Sequence, residues 1–277
     1  MSSAPTVVIK YGGHAMDDPA LSIPFATGLA RLAAQGMRLV VVHGGGPQIT
    51  DMLERLNISS SFLHGLRVTS KETMQVVEMV LCGQVNKSVV SLFLLHGARA
   101  VGISGKDAGM LAATQLNDEL GQVGEINTVD ASLVNTLLDA AFVPVIAPVA
   151  VGPQGQSFNI NADTAAGALA GALGADYFVL ISDVPGVLDK EKKLINRLNR
   201  REIGRLVQEG VVFGGMIPKV LSCLHALDEG CKRALILDGR AESSLERYLL
   251  EGAPLGTLVE AQTPDTGTTA DTAVAAT

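Results

Sequence analysis

The chain has 277 residues, 47% of them hydrophobic, and its 21 basic and 28 acidic side chains give a formal charge of −7. That charge argues against a general electrostatic attraction to nucleic acid or to an anionic membrane, so an anionic ligand would be held by local groups. The cysteines Cys82, Cys223 and Cys231 have the spacing of neither a disulfide framework nor a zinc site. Because no signal segment or membrane-length apolar run is evident, we expect a cytoplasmic protein without nucleic-acid or membrane partners.

In chain order, short apolar runs alternate with segments of helical pattern. The runs are residues 7–9, 39–42, 100–103, 143–146, 177–181 and 234–237. Because these runs are apolar throughout, they indicate parallel strands that are covered on both faces. We predict an α/β fold: a three-layer αβα sandwich with an open, mainly parallel central sheet.

Two polar segments, residues 59–69 and 111–127, interrupt this alternation and are expected to form lids, the second one from hairpins. A glycine-rich turn at residues 152–155 suggests a boundary between an N-terminal lobe of residues 1–152 and a C-terminal lobe of residues 153–262. Residues 263–277 lack apolar periodicity and are predicted to be a disordered tail.

A long apolar segment covers residues 74–95. Thr69 and Glu72, just before it, have the spacing of a capping box. Because a helix that is apolar on nearly every face must be buried, we expect this one either in the core or in a contact between subunits.

The first strand ends in a lysine, Lys10, which Tyr11, Gly12 and Gly13 follow. Paired glycines let the backbone approach a ligand and turn its N–H groups toward an anion. An ordinary turn would explain the glycines but not the lysine, because a charge in an apolar strand is costly unless it is paired. The pattern therefore favours an anion site.

The second strand repeats this design, since the sequence His-Gly-Gly-Gly-Pro at residues 43–47 leads from the strand into a helix. The N-terminus of that helix suits a phosphate or a carboxylate. A tight loop is the alternative, and the coincidence with the first glycine turn disfavours it.

Two familiar nucleotide signatures fail. The second turn is not a dinucleotide fingerprint, because Pro47 and Gln48 precede Ile49 where a third glycine would stand. This disfavours a dinucleotide-dependent oxidoreductase. Residues 105–107 resemble a P-loop, but Ala100 replaces its first glycine and Asp107 replaces its Ser or Thr.

Asn159, Asn161 and Asp163 precede a helix of small residues. Either Asn161 or Asp163 could cap that helix. Capping needs only one of them, so Asn159 and Asp163 remain available for a ligand.

Lys219 stands in the first turn of a helix that the glycines at 214 and 215 open and that runs to about Asp228. A cation there opposes the helix dipole, which favours negative charge. This position is explained if an anion lies beside the lysine. An exposed, solvated lysine is the alternative.

Two further features complete the set of candidates. Residues 182–187 form a loop at the carboxyl end of a strand, where open α/β sheets bind ligands. Arg67 lies in the first predicted lid, and a guanidinium group matches a carboxylate with two parallel hydrogen bonds.

These motifs, in this order, resemble those of the amino acid kinase family over about residues 6–260. The matching segments are residues 10–13, 43–46, 65–69, 159–163, 182–186 and 215–219. The resemblance implies the amino acid kinase fold and transfer of the γ-phosphoryl group of ATP to the side-chain carboxylate of N-acetyl-L-glutamate. The product would be an acyl phosphate for arginine biosynthesis.

The resemblance also implies roles for the candidate residues. Its catalytic residues would be Lys10, Lys219 and Asp163, with Asp163 holding both lysines in place. Its substrate-binding residues would be Gly44, Gly45, Arg67 and Asn159. Its phosphate-binding and ATP-binding residues would be Lys10, Gly12, Gly13, Ser182, Asp183, Val184, Pro185, Gly186, Val187, Gly214, Gly215, Met216 and Lys219. Magnesium would be bound by the ATP phosphates, without a dedicated protein site. The N-terminal lobe would bind the amino acid and form a homodimer through residues 74–95, and the C-terminal lobe would bind ATP.

Members of this family that arginine inhibits carry an extra N-terminal helix and a C-terminal pattern that begins with His and contains Leu-Glu. Here the first strand begins close to Met1, and Tyr248 stands where the Glu would align. We therefore expect an arginine-insensitive homodimer.

Two alternatives stay open at this point. A kinase for the carrier-linked aminoadipate of lysine biosynthesis would share the motifs, although residues 65–69 favour free N-acetylglutamate. A regulatory module that binds amino acid or nucleotide without turnover is the other, and retention of Lys10, Asp163 and Lys219 argues against it.

Overall fold

The computed structural model describes residues 4–241 and 243–261, so the predicted tail at 263–277 lies outside the described residues. The first strands in chain order are β1 (Thr6–Tyr11), β2 (Arg38–His43), β3 (Phe62–Leu63), β4 (Leu66–Arg67), β5 (Ala100–Ser104), β6 (Leu111–Gln115) and β7 (Gly124–Val129). The others are β8 (Val143–Ala147), β9 (Val149–Val151), β10 (Ser157–Asn159), β11 (Tyr177–Ser182), β12 (Arg197–Asn199), β13 (Ala234–Asp238) and β14 (Thr257–Glu260).

Helices fill most of the connections. They are α1 (His14–Asp17), α2 (Pro19–Ala34), α3 (Gly46–Arg55), α4 (Lys71–Glu78), α5 (Asn86–Leu95), α6 (Ser132–Asp139), α7 (Ala162–Ala172), α8 (Arg200–Gln208), α9 (Met216–Asp228) and α10 (Ser244–Glu251). A π-helical segment, Met79–Val85, joins α4 to α5, and a short 3₁₀ turn covers Asp107–Gly109.

The central sheet has eight strands in the order β12-β14-β13-β11-β1-β2-β8-β5. Six neighbouring strands, from β13 to β5, run parallel, and β14 is antiparallel to β13. This confirms the α/β prediction with a mainly parallel sheet. The strand β1 lies at the middle of the sheet, between β11 and β2.

Alternation along the strands gives the sheet two buried faces. On β1, Val8 belongs to one apolar cluster, and Val7 and Ile9 belong to the other. The first cluster continues into α6, α7, α8 and α9, and the second continues into α2, α3, α5 and α10. Apolar surface on both faces explains why the strands read as continuous hydrophobic runs.

The two segments that were predicted to form lids contribute to small sheets outside the central sheet. Strands β3 and β4 form a two-stranded hairpin, and β10, β9, β6 and β7 form a second sheet of four strands in that order. A bridge between Thr69 and Gly121 ties the two together. The expected hairpin in residues 111–127 is therefore present as the antiparallel pair of β6 and β7.

The capping residue of the long apolar helix differs from its prediction. Ser70, not Thr69, caps it, because the Ser70 side chain accepts a hydrogen bond from the backbone of Thr73 and the Thr69 hydroxyl bonds to Arg67 O. The helix is also buried on one face only, since Met79 is 60% exposed and Leu95 is 82% exposed.

By length and composition alone, the continuous helix Lys71–Leu95 would be apolar enough to cross a membrane. Its other face, however, packs into the core of the molecule through Val77, Val85 and Phe93. That face is therefore part of the core of the molecule.

Candidate functional site

The carboxyl ends of β1 and β2 bring the two glycine turns together. Lys10 pairs with Val42 in the parallel register, so Gly12 and Gly44 leave neighbouring strands at the same edge. Gly44 N–H donates to Tyr11 O at 2.8 Å. A Cβ atom added to Gly12 would lie 3.4 Å from Gly44 N and 3.5 Å from Lys10 Nζ, so both turns and the lysine meet in one place.

Lys10 and Lys219 bind the same carboxylate. Lys10 Nζ lies 3.1 Å from Asp163 Oδ1, and Lys219 Nζ lies 3.4 Å from Asp163 Oδ2. The three residues come from β1, α7 and α9, and contacts of α7 with both β1 and α9 bring these elements together. Two ammonium groups are thus held close together by one carboxylate.

Asp163 is free to bind both lysines because Asn161 caps helix α7 in its place. The Asn161 side chain accepts hydrogen bonds from the N–H groups of Asp163 and Thr164, as an N-cap residue does. Burial raises the pKa of Asp163, but the charges of Lys10 and Lys219 outweigh it and hold that pKa below its ordinary value. Asp163 is therefore an anion at neutral pH.

A cavity of about 120 Å³ opens on one side of the lysines. Its lining includes Lys10, Lys219 and the Gly12 and Gly13 turn, together with Ser182 at the end of β11. Gly13 adopts a φ of 64°, in the left-handed region that glycine enters at little cost. The cavity offers charge and backbone N–H groups to a polyanion.

A second cavity of about 180 Å³ lies beyond the second glycine turn. Gly44, Gly45, Arg67 and Asn159 line it. These are the four residues for which the family resemblance implied substrate binding. The structure brings them together although they come from separate elements of the fold.

Arg67 is held rigidly at the wall of this cavity. Its Nη2 donates to Gly46 O at 3.0 Å and to Thr50 Oγ1 at 2.8 Å, and its Nη1 donates to Ser60 Oγ. Its guanidinium carbon lies 4.7 Å from the centre of the Phe62 ring. These contacts fix the plane of the guanidinium group, which suits bidentate recognition of a carboxylate.

The charge of Arg67 is not neutralised by an ion pair within the chain. The side chain is buried, and burial lowers its pKa from the ordinary value. Within residues 4–241 and 243–261, no carboxylate forms a salt bridge with it. A buried cation without an acidic partner is costly, so this geometry calls for an external anion.

Asn159 is positioned by the bridge between the lids. Its Nδ2 donates to Thr69 Oγ1 at 3.2 Å, and its backbone N–H donates to Gln122 O at 2.9 Å. Thr69 is fully buried and donates in turn to Arg67 O. Asn159 and Arg67 are therefore connected through one threonine.

Some of the predicted ATP-binding residues do not line the smaller cavity. Asp183 lines the smaller cavity, but residues 184–187 do not. Val187 is buried, and its N–H donates to Thr257 Oγ1 at 2.8 Å. A Cβ atom on Gly186 would lie 2.6 Å from the same hydroxyl, so this end of the loop packs closely against β14.

Gly214, Gly215 and Met216 precede Lys219 at the start of α9, as the sequence predicted, but they do not line the smaller cavity. Gly214 has a φ of 55°, in the left-handed region, and no atom within 4 Å of an added Cβ. Both glycines are exposed and lie just before the first residue of α9.

Sequence reasoning missed several residues around the site. Arg240 lines the smaller cavity, and its Nε and Nη2 each donate to Asp238 at 2.9 Å. Thr50 and Ser60 hold Arg67. Their spacing from Arg67 gives no signal, because the contact depends on how the β3–β4 hairpin folds onto α3.

Residues 105–107, which resemble a P-loop only in part, form contacts that stabilise the fold. Lys106 Nζ lies 2.7 Å from Glu78 Oε1 and donates to Ser157 Oγ at 2.8 Å. Asp107 accepts hydrogen bonds from the backbone and hydroxyl of Ser104. These contacts tie α4 to β10 and leave no phosphate loop there.

A larger cavity of about 610 Å³ lies between β7 and α7. Its lining includes Glu125 and Glu229 but no lysine or arginine. An anionic substrate would find no countercharge in it, so volume alone is a poor guide to the site in this molecule.

Comparison with known proteins gives close relatives of one kind. The model of the amino acid kinase family matches residues 5–238. The acetylglutamate kinase of Novosphingobium aromaticivorans is 46% identical over 274 residues, with coverage of 92% of this chain and 90% of the relative. The acetylglutamate kinase of Solidesulfovibrio magneticus is 50% identical over 264 residues, with coverage of 91% and 89%.

Solved structures share the fold at lower identity. N-acetylglutamate synthase from Neisseria gonorrhoeae, complexed with coenzyme A and L-arginine, matches with a TM-score of 0.80 and 21% identity, covering 94% of this chain and 62% of that one. Carbamate kinase from Giardia lamblia bound to AMP-PNP matches with a TM-score of 0.68 and 18% identity, covering 95% and 100%. At these identities the likeness concerns the fold.

Proposed function

This chain belongs to the amino acid kinase family, and we propose that Lys10, Asp163 and Lys219 form the reaction centre of the phosphoryl transfer it carries out. The chain is an ATP-dependent kinase that phosphorylates N-acetylglutamate in arginine biosynthesis, as its acetylglutamate kinase relatives indicate. The observation that carries our proposal is the shared contact of both lysines with Asp163, close to the glycine turns.

In this proposal the two cavities divide the substrates between them. The side-chain carboxylate of N-acetylglutamate approaches from the cavity of Arg67 and Asn159, and the ATP phosphates occupy the cavity of Gly12 and Gly13. The carboxylate is already a nucleophile, so no general base is needed. Its oxygen forms a bond to the γ-phosphorus as the bond to the bridging β–γ oxygen breaks, and that electron pair leaves with ADP.

Lys10 and Lys219 stabilise the charge that spreads over the γ-phosphoryl oxygens during transfer. Asp163 keeps the two ammonium groups close together, because without it they would repel each other and turn toward solvent. The N–H groups of the glycine turns add hydrogen bonds to the same oxygens. Catalysis then comes from positioning and charge, which is what phosphoryl transfer requires.

We propose that Arg67 and Asn159 set the choice of amino acid. Arg67 is a buried cation with no acidic partner among the described residues, so it would bind the α-carboxylate of the substrate. The side chain of Asn159 would contact the N-acetylated part. Both side chains line the same cavity, which supports binding of one small carboxylate rather than a carrier protein.

The chemistry of the site fits magnesium bound to ATP rather than to the protein. No group of three His, Cys, Asp or Glu suited to a metal is present among the described residues. Asp183 lines the phosphate cavity and supplies one carboxylate, whereas Asp163 is occupied by the lysines. Magnesium would neutralise the β- and γ-phosphates, and Asp183 would hold one of its water ligands.

We propose a homodimer that forms through the exposed face of the helix Lys71–Leu95. Less than half of its most apolar stretch is buried within the chain. Met79, Leu94 and Leu95 are exposed on it. Exposed apolar side chains on a helix this long are typical of an interface between subunits. A cytoplasmic setting, in which the free cysteines stay reduced, agrees with these features.

Insensitivity to arginine is a further part of the proposal. The family resemblance places Tyr248 at the position where a glutamate is expected in members that arginine inhibits. In this chain Tyr248 packs edge-on against Tyr177, with ring centroids 6.3 Å apart. An aromatic contact there removes an acidic group that could bind a guanidinium. Activity should therefore be unchanged in millimolar arginine, and strong inhibition would contradict this part of the proposal.

A hydroxamate assay of acyl phosphate formation tests the proposal directly. N-acetylglutamate, glutamate, aspartate and aminoadipate would each be supplied with ATP and magnesium. We expect product with N-acetylglutamate and at least tenfold less with the others, because a free α-amino group would compete poorly for the site of the acetyl group, by about 1.4 kcal/mol or more. Absence of product with all four would reject the reaction, and a preference for aminoadipate would reject the substrate.

A further inference from the structure

His43 is a fully buried polar side chain directly beside the second glycine turn. Its Nδ1 lies 2.7 Å from Gly44 O, and its Nε2 lies 3.2 Å from Asn86 Nδ2. Asn86 is itself buried at the start of α5. The motif at residues 43–46 contains this histidine, but the reaction proposed above assigns no role to it.

Asn86 determines which nitrogen of His43 carries the proton. The Asn86 Oδ1 accepts a hydrogen bond from Lys87 Nζ at 2.9 Å, and its Nδ2 donates to Val145 O at 2.9 Å and to Ile103 O at 3.2 Å. These partners fix Nδ2 as the atom that faces the ring. The two hydrogens of Nδ2 are shared among these two carbonyl oxygens and His43 Nε2. Because an amide nitrogen does not accept a hydrogen bond, a proton on Nε2 would face another donor, so the ring proton is on Nδ1.

The bond to Gly44 leads to the same tautomer. A carbonyl oxygen only accepts, so Nδ1 must donate to Gly44 O. Burial lowers the pKa of His43 to about 4, so the ring is neutral at physiological pH. His43 therefore presents one fixed donor to the glycine turn.

This donor decides which way the next peptide faces. In a trans peptide the C=O and N–H groups point in opposite directions, so holding Gly44 O against His43 turns Gly45 N–H the other way. The peptide lies between two glycines, which have no Cβ to oppose a flip of the backbone. Gly44 and Gly45 both line the substrate cavity.

We propose that His43 is a positioning residue that holds the peptide between Gly44 and Gly45 in the orientation that aims Gly45 N–H at the reacting group. This inference rests on the proposed role of the glycine turn in binding the carboxylate and phosphoryl oxygens. Gly45 N–H belongs to the N-cap residue of α3, where backbone donors have no partner within the helix. His43 thus converts a flexible glycine peptide into a preorganised donor.

Two amide substitutions test the two ring nitrogens of His43 separately. His43→Asn places an amide nitrogen at the δ position and keeps the donor to Gly44 O. His43→Gln places an amide oxygen near the ε position and keeps the acceptor for Asn86. We expect His43→Gln to lower kcat by about 10- to 100-fold with little change in KM, and His43→Asn to remain within about threefold of the parent enzyme.

His96→Asn is the matched control, because His96 is a half-buried histidine that bonds to Thr27 instead. It should leave kcat unchanged. Equal activity of His43→Gln and the parent enzyme would overturn the inference. So would equal losses in both folded amide variants, because the ring would then matter only as a space-filling group.

The tautomer can be read from the unaltered enzyme, even if a variant fails to fold. In ¹⁵N-labelled protein, we expect the His43 signals of a protonated Nδ1 and an unprotonated Nε2 at neutral pH. A proton on Nε2 would overturn the inference whatever the kinetics. Failure of the unaltered enzyme to form acyl phosphate would instead reject the proposed function, so the two failures are distinguishable.

Discussion

Lys219 Nζ lies 3.4 Å from Asp163 Oδ2, although the two residues belong to different helices and are 56 positions apart. The other oxygen of the same carboxylate binds Lys10 at 3.1 Å. One acidic group therefore fixes the distance between two cations that would otherwise repel each other.

Replacing Asp163 with asparagine keeps the size of the side chain and removes its charge. We expect kcat to fall by about 100-fold or more, because both lysines would lose the partner that holds them in the site. Steady-state kinetics would measure this. Asp176→Asn is the matched control, since Asp176 also binds a lysine, Lys232, at 2.8 Å but lies outside the site. Similar losses in both variants would contradict a specific role for Asp163.

Replacing Lys219 with alanine removes one of the two charges that would stabilise the moving phosphoryl group. We expect a loss of about 100- to 1,000-fold in kcat and a much smaller change in either KM, because the interaction strengthens during transfer. Lys190→Ala, at an exposed lysine paired with Glu209, should have no effect. Unchanged turnover in Lys219→Ala would remove this residue from the reaction centre.

Replacing Arg67 with lysine keeps the charge and loses the planar pair of donors. We expect KM for N-acetylglutamate to rise by about 10- to 100-fold, corresponding to about 1.4 to 2.7 kcal/mol, while KM for ATP stays the same. Arg99→Lys is a suitable control, because Arg99 also lies over a ring, that of Phe142 at 4.3 Å. A rise in both KM values would indicate a general disturbance rather than a specific contact.

A charge on the exposed face of the long helix should separate the subunits. We expect Leu95→Glu to convert a dimer into a monomer, because a carboxylate would be buried without a partner in the interface. Multi-angle light scattering would give the mass. Leu221→Glu, at another exposed leucine, should leave the dimer intact. A monomeric parent enzyme would reject the interface.

His43 should make stability depend on pH. The pKa is lowered to about 4 in the folded chain from an ordinary 6.5, so the unfolded chain binds more protons between these values. The free energy of unfolding should therefore decrease by about 3 kcal/mol as the pH falls from 6.5 to 4. Calorimetry of the parent and His43→Asn would isolate this contribution. Parallel pH profiles for the two proteins would contradict it.

The local signals in the sequence were sufficient for the six parallel strands from β13 to β5 and for the start of α9, but not for β12 and β14. Lys10 and the glycine turns stood out because a charge and flexible residues follow apolar runs. The helix from Met216 to Asp228 ends where it was predicted. Of the two candidates for the cap of α7, the structure selects Asn161 and leaves Asp163 to bind the lysines.

Contacts between distant segments could not be predicted in this way. Asn86 and His43 are 43 positions apart, and only the folding of α5 onto the ends of β2, β5 and β8 brings them together. For the long helix, the sequence left two placements open, the core and a contact between subunits. It could not choose between them, because a surface that a second subunit covers has the same apolar composition as a core.

The position of β1 has a consequence for any attempt to divide the chain. Its register joins Val8 to Phe178 on one side and to Val40 on the other, so the backbone of β1 is hydrogen-bonded to strands on both sides of the predicted lobe boundary. A fragment that ends at residue 152 would leave one edge of this apolar strand bare and prone to pair with other chains. Lys10 and Asp163 would then be on separate molecules. Split-enzyme complementation at the lobe boundary should accordingly yield aggregates rather than activity.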